Sequence, residues 1–175
     1  MTAPEFSRPV ALDKIGARVK RFEFEATPAE CDALAGLFTI PRVTRLATKA
    51  SLQRLADGKQ VRLEAHLSAE LVQICVVTLE PLTVRFEEPF ERIYSLDPVA
   101  EAGAVVIDFA ADDPPDPVTD GLIDVGEAAI EHLALVIDPF PRAADARFDA
   151  PPETPSSEPE LPSPFAALAS PSSKR

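Results

Sequence analysis

The chain has 175 residues, 46% of them apolar, and a formal net charge of −12; this suits one domain with a real core and a tail. Aromatic residues make up 6% and tryptophan is absent, which argues against a sugar-binding or base-stacking platform. Six glycines leave no room for a dinucleotide fingerprint, and two cysteines form no disulfide framework.

The net charge conceals a division. Residues 1–66 carry 11 Lys/Arg against 8 Asp/Glu, whereas residues 67–175 carry 6 against 21. Such asymmetry fits a chain that meets a polyanion on one side and a basic partner on the other, or simply an acidic solubilising tail. The start, "MTAPEFSRPV", has neither the charged opening nor the apolar core of an export signal, and apolar runs are too short to span a bilayer. A cytoplasmic protein with no membrane partner is the expectation.

Residues 10–25 alternate weakly and end in "RFEFEA", where Phe22 and Phe24 share a face, so the stretch reads as a strand. In "TPAECDALAGLF", Thr27 is placed as N-cap, Pro28 as first helical residue and Glu30 as the reciprocal member of a capping box. Cys31, Leu34 and Leu37 or Phe38 then fall on one stripe. Residues 43–55 form a run without glycine or proline, followed by Asp57-Gly58, a dipeptide suited to a tight hairpin turn with positive φ. Val61, Leu63, Ala65, Leu67, Ala69 and Leu71 alternate with polar residues, which predicts a half-buried strand. "LTVRFEE" alternates again after Glu80-Pro81, so residues 43–94 read as a meander of long strands.

The acidic, proline-punctuated stretch "SLDPVAEAGAVVIDFAADDPPDPVTDG" reads as a surface loop with a short strand at residues 105–109. "DVGEAAIEHLALVIDP" reads as a second helix, capped by Asp124 with Glu127 in its first turn and stopped at Asp138-Pro139. Its broad apolar face, with Val125, Ala128, Ala129, Ile130, Leu133, Val136 and Ile137, is expected on the sheet. Beyond Arg147 the composition turns to Pro, Ser and Glu, which predicts disorder. The end, "PSPFAALASPSSKR", carries a small apolar hook that either docks back on the domain or serves as a peptide ligand for a partner.

Candidate chemistry is sparse. Cys31, Cys75, His66 and His132 are the maximal zinc set, but His66 and Cys75 lie nine positions apart along one strand and so point to opposite faces. Cys75 has only Ile74, Val76 and Val77 beside it in sequence, and a buried, inert thiol is the expectation. Glu127 and Glu131 on the second helix read as a solvated stripe. No catalytic, cofactor or metal-ligating residue is assigned, and no nucleophile elbow, H-E-x-x-H or phosphate loop is present. What remains is the run "PRVTRLATKASLQRLADGKQVRLEAH", in which Arg42, Arg45, Lys49, Arg54, Lys59 and Arg62 meet a single acid, Asp57, before Glu64. Arg45, Lys49 and Gln53 share one strand face at about 6.5 Å per two residues, near the spacing of backbone phosphates. These six are the candidate nucleic-acid-binding residues; ordinary strand solubility is the competing reading.

Three segments together resemble the YceD-like large ribosomal RNA subunit accumulation proteins. They are the long strand running through Cys75 to "VVTLEPL", the helix "IDVGEAAIEHLALVIDPFPR" and the tail "PSPFAALAS". The order and spacing carry the resemblance, over residues 10–170. Thr78 stands where some members have a second cysteine, so a metal role of cysteine-rich relatives does not transfer. The resemblance implies a non-enzymatic bacterial ribosome-assembly factor without cofactor. Its expected partner is large-subunit ribosomal RNA or a precursor particle; the alternative is a chaperone that holds a basic ribosomal protein without touching RNA. The expected fold is α+β over residues 1–147: an antiparallel meander of long strands packed on one face by two helices, with an acidic loop. A flexible tail follows over residues 148–175.

Overall fold

The computed structural model describes residues 6–97 and 114–148. In chain order these form β1 (Pro9–Ala11), a 3-10 turn (Leu12–Lys14), β2 (Lys20–Glu25), α1 (Pro28–Leu37), β3 (Arg42–Arg54), β4 (Gln60–Ile74), β5 (Pro81–Ser95), β6 (Asp116–Pro117), β7 (Leu122–Asp124) and α2 (Val125–Val136). The main sheet has the order β2-β3-β4-β5-β6, antiparallel throughout except that the two-residue β6 runs parallel to β5. β1 and β7 pair separately as a small second sheet. The strand candidate at 105–109, most of the acidic loop and the C-terminal hook lie outside the described residues.

The α+β class and the meander of β3, β4 and β5 match the sequence reading. The single strand expected over residues 10–25 is corrected to two short strands in different sheets, separated by the 3-10 turn and the Ile15–Val19 bend. Ile15 is the reason: its side chain is 3% exposed, and reaching the core turns the chain away from β2. The hairpin turn is also looser than a two-residue loop. Leu55 and Gln60 close it through a 2.9 Å backbone bond, Gly58 takes φ +68°, and the Asp57 carboxylate accepts from the amides of Lys59 and Gln60.

Alternation decides which face of the sheet is packed. Val61, Leu63, Leu67 and Leu71 are fully buried, with Ala65 and Ala69 between them, and the same parity continues to Gln73. At about 1.5–3 kcal/mol per fully buried leucine, this row fixes the register of β4, since a one-residue slip would put all of it in water. Both helices cover this inward face. Cys31 and Leu34 of α1 and Ala129 and Leu133 of α2 share a core with Leu46, Leu67 and Leu71, while Val125 and Ala128 join Leu52, Val61, Leu63 and Tyr94. The buried face of α2 is narrower than its composition implies, because Ile130, Val136 and Ile137 are only half-buried.

The N-terminal segment straps the two helices together. Phe6 is fully buried, and the Arg8 guanidinium lies 4.2 Å from its ring centroid. Arg8 also grips Glu30 with both nitrogens, at 2.8 and 2.9 Å, where Glu30 already closes the capping box with Thr27. That bond to Arg8, seconded by Thr27, holds the Glu30 carboxyl at about 2. A carboxylate with a depressed pKa stabilises the fold fully above its unfolded value near 4.5 and loses that contribution as pH falls toward 2. Glu30→Gln is therefore expected to lose about 1–2 kcal/mol at neutral pH. The deficit should shrink between pH 4.5 and 2; urea unfolding across that range measures it, and a deficit independent of pH would contradict the assignment.

Candidate nucleic-acid interface

The outward face of the sheet is left bare by the helices, and register assigns its residues. Arg45 stands opposite Glu70, which stands opposite Arg85; Glu23 stands opposite Lys49, and Lys49 opposite His66. Ser51, Glu64 and Glu91 make another row, and Gln53, Arg62 and Ile93 the next. Cations and carboxylates alternate in the Arg45-Glu70-Arg85 row, which stabilises its cross-strand pairs, whereas Glu64 and Glu91 set like charges opposite each other.

The six candidate residues do not form one surface. Arg42, Arg45, Lys49 and Arg62 share the outward face, although a register shift between Val43 and Arg45 inserts Thr44 between the first two. Arg54 belongs to the opposite parity. Its guanidinium points to the carbonyls of Leu12, Ile15 and Gly58 at 3.3–3.4 Å, so it fastens the N-terminal bend to the hairpin end. Lys59 sits in the turn and pairs with Asp97 at 3.2 Å. Arg45 pairs with Glu25 at 2.8 Å, which raises the arginine's pKa, and Arg62 lies 2.9 Å from Glu91. Among the described residues, Arg42 and Lys49 take part in no ion pair. Arg21 and Arg85 occupy the same face and escaped the sequence reading, though the alternation of Leu82, Val84 and Phe86 marks Arg85 as outward. Arg85 is engaged by Glu70 at 2.6 Å.

Cys75 is 1% exposed, just beyond the last residue of β4, and Cys31 is 5% exposed; both are free. The expectation of a buried thiol is met, but the surroundings of Cys75 are richer than its sequence neighbours imply. Its Sγ accepts the amides of Thr78 at 3.5 Å and Ala143 at 3.4 Å. Hydrogen bonding from Thr78, then from the Ala143 amide, draws the thiol down to about 7, whereas burial pushes Cys31 up. The expected inertness would thus have to rest on burial and not on an unperturbed thiol. His66 is exposed on the outward face, 3.5 Å from Glu87. His132 stacks on Phe90 with centroids 4.6 Å apart, and burial lowers its pKa. No group of three or more potential metal ligands occurs among the described residues.

A second feature lies where β5, β6, β7 and α2 meet. A cleft of about 510 Å³ is lined by Asp116, Asp124, Glu127 and Glu131, with Arg92 and Tyr94 between them. Arg92 bonds Glu131 and lies 3.8 Å from Asp116, while desolvation first of all pushes the Tyr94 hydroxyl up to about 12. Asp124 is spent on capping α2, so Glu127 and Asp116 are the carboxylates left most open to a visitor.

The described residues define an α+β sheet protein whose sheet is covered by helices on one face and carries paired charges on the other. The sequence model of one family, described as "Large ribosomal RNA subunit accumulation protein YceD", matches residues 63–170. That is more than half of the chain, and the chain belongs to this family. The match opens in β4, takes in β5 and α2, and runs on past the described residues. The family description places it in accumulation of the large ribosomal RNA subunit. No curated protein and no solved structure matches the chain. No helix among the described residues is long and apolar enough to cross a membrane.

Proposed function

We propose that the protein supports large-subunit assembly without catalysis, by laying the outward face of its sheet on ribosomal RNA or a precursor particle. The observation that carries this reading is the outward face, which neither described helix covers and on which β3 and β4 hold Arg42, Arg45, Lys49 and Arg62. Cations held on a sheet face contact phosphates without reading bases. Because Arg45 and Arg62 are shared with carboxylates, contact with phosphate has to displace Glu25 and Glu91. The grip is then modest and sensitive to salt, and Arg42 and Lys49 carry most of it.

Titration of the full chain against a large-subunit ribosomal RNA fragment at several salt concentrations tests this. Arg42→Ala/Lys49→Ala is expected to weaken binding about tenfold and to flatten the salt dependence by roughly one unit for each phosphate no longer neutralised. Unchanged binding in that variant, or none in the wild type, would sink the reading. The acidic cleft supports a second one, in which a basic ribosomal protein is held without RNA. Under that reading, loss of Glu127 and Asp116 removes a ribosomal protein from the purified complex and leaves RNA binding as it was.

A further inference from the structure

We propose that the chain's own C-terminal segment, residues 162–168, seats in a groove at the far end of the sheet, with Phe165 filling it. The groove has a volume of about 240 Å³ and lies where the α1–β3 connection, the end of β4 and the chain after α2 converge. Phe38, Ile40, Ile74, Val76 and Ile137 make its apolar walls, and Gln73 belongs to its lining. Small-molecule sites run to about 300–1,000 Å³, so this one suits a single large side chain.

Two observations show the groove to be unfinished. Gln73 is only 4% exposed; its amide nitrogen donates to the Asp138 carbonyl at 2.8 Å, yet its Oε1 finds no donor among the described residues. A buried acceptor of this kind ordinarily has a partner, and a peptide backbone N–H supplies one. Ile74 and Val76 on the rim are 40% and 42% exposed, with Leu79 and Phe140 beyond them at 74% and 68%. Apolar side chains collected at one end of a domain mark a surface that something covers.

The position of the tail argues for a cis occupant. After α2 the chain forms one wall of the groove, where the Val76 amide bonds the Pro141 carbonyl at 2.9 Å, and the described part ends at Phe148. Sixteen residues lie between Phe148 and Phe165; fully extended this span reaches about 55 Å, ample for a return to a groove that the same chain has just left. Within that Pro-, Ser- and Glu-rich stretch, Phe165-Ala166-Ala167-Leu168 is the one apolar cluster. The family match continues through it to residue 170, across the linker. A short apolar motif on a polar tether has a high effective concentration at its own domain.

Hydrogen–deuterium exchange on the full chain tests the assignment. Residues 165–170 are expected to exchange at least tenfold more slowly than residues 150–160, at any protein concentration. Phe165→Ala/Leu168→Ala, which lies outside the packed domain, and Val76→Glu, which charges the groove, should each bring the segment to the linker's rate. The strands β3 to β5 should keep their protection in both. Four outcomes overturn the proposal: no protection in the wild type, or protection that survives Phe165→Ala/Leu168→Ala, or survives Val76→Glu in a folded protein, or rises with concentration. The last would place the segment on a second copy.

Discussion

Gly126→Ala is expected to destabilise the protein by about 3 kcal/mol or more and to lower its melting temperature by roughly 10 °C. On helix propensity alone the substitution should help, by about 1 kcal/mol. Sterics reverse the sign. A Cβ at this position would stand 2.0 Å from the Phe6 carbonyl oxygen, 2.9 Å from its carbon and 3.0 Å from the Arg8 nitrogen. All three are backbone atoms, so no rotamer change relieves the clash, and the strap has to leave the first turn of α2. Phe6, fully buried beneath it, would leave with it. Calorimetry on the purified variant gives the answer; a melting temperature within about 2 °C of wild type would show that the strap yields freely.

Asp124→Ala should cost about as much by a different route. The Asp124 Oδ1 accepts the amides of Gly126 at 2.9 Å and Glu127 at 3.0 Å, as an N-cap does, and also the Arg8 amide at 2.7 Å; Oδ2 accepts the Ser7 hydroxyl. Losing the cap is worth about 1–2 kcal/mol, and stranding the partly buried strap amide adds about 1–2 kcal/mol. Asp124→Asn keeps an acceptor for the three amides and should recover most of the loss. Denaturant unfolding of both variants separates geometry from charge: if asparagine is as poor as alanine, the negative charge at the helix N-terminus matters more than the hydrogen bonds. Because Gly126 and Asp124 both act on the strap, the double variant should fall short of the sum.

What could be read from the sequence was local. The Thr27–Glu30 capping box, the Asp124 cap, the turn glycine and the alternation from Val61 to Leu71 are each encoded within a few residues, and each appears in the structure as expected. Contacts across long separations were not legible. Counting charges along residues 42–62 gave one acid, but register brings Glu25, Glu70 and Glu91 to the same face from other strands. One of the two amides that reach the Cys75 sulfur comes from Ala143, 68 positions away. The parity of Arg54 was readable from its neighbours, yet a run of basic residues conceals which side each one takes. The crowding at Gly126 has no local signature, since "VGEAA" reads as an ordinary helix start.

The last long strand of the sheet is β5, and among the described residues the two-residue β6 beyond it pairs only with Tyr94 and Ser95. On the side away from β4, most of this strand, about 50 Å long, therefore borders no other described strand, and an open edge of that length invites aggregation. Its sequence resists this: Pro89 has no amide to offer an incoming chain, and Glu87, Glu88 and Glu91 would face their own likeness in a docked twin. Those four residues should keep concentrated stocks clear, and neutralising the glutamates should make the protein gel while its fold stays intact.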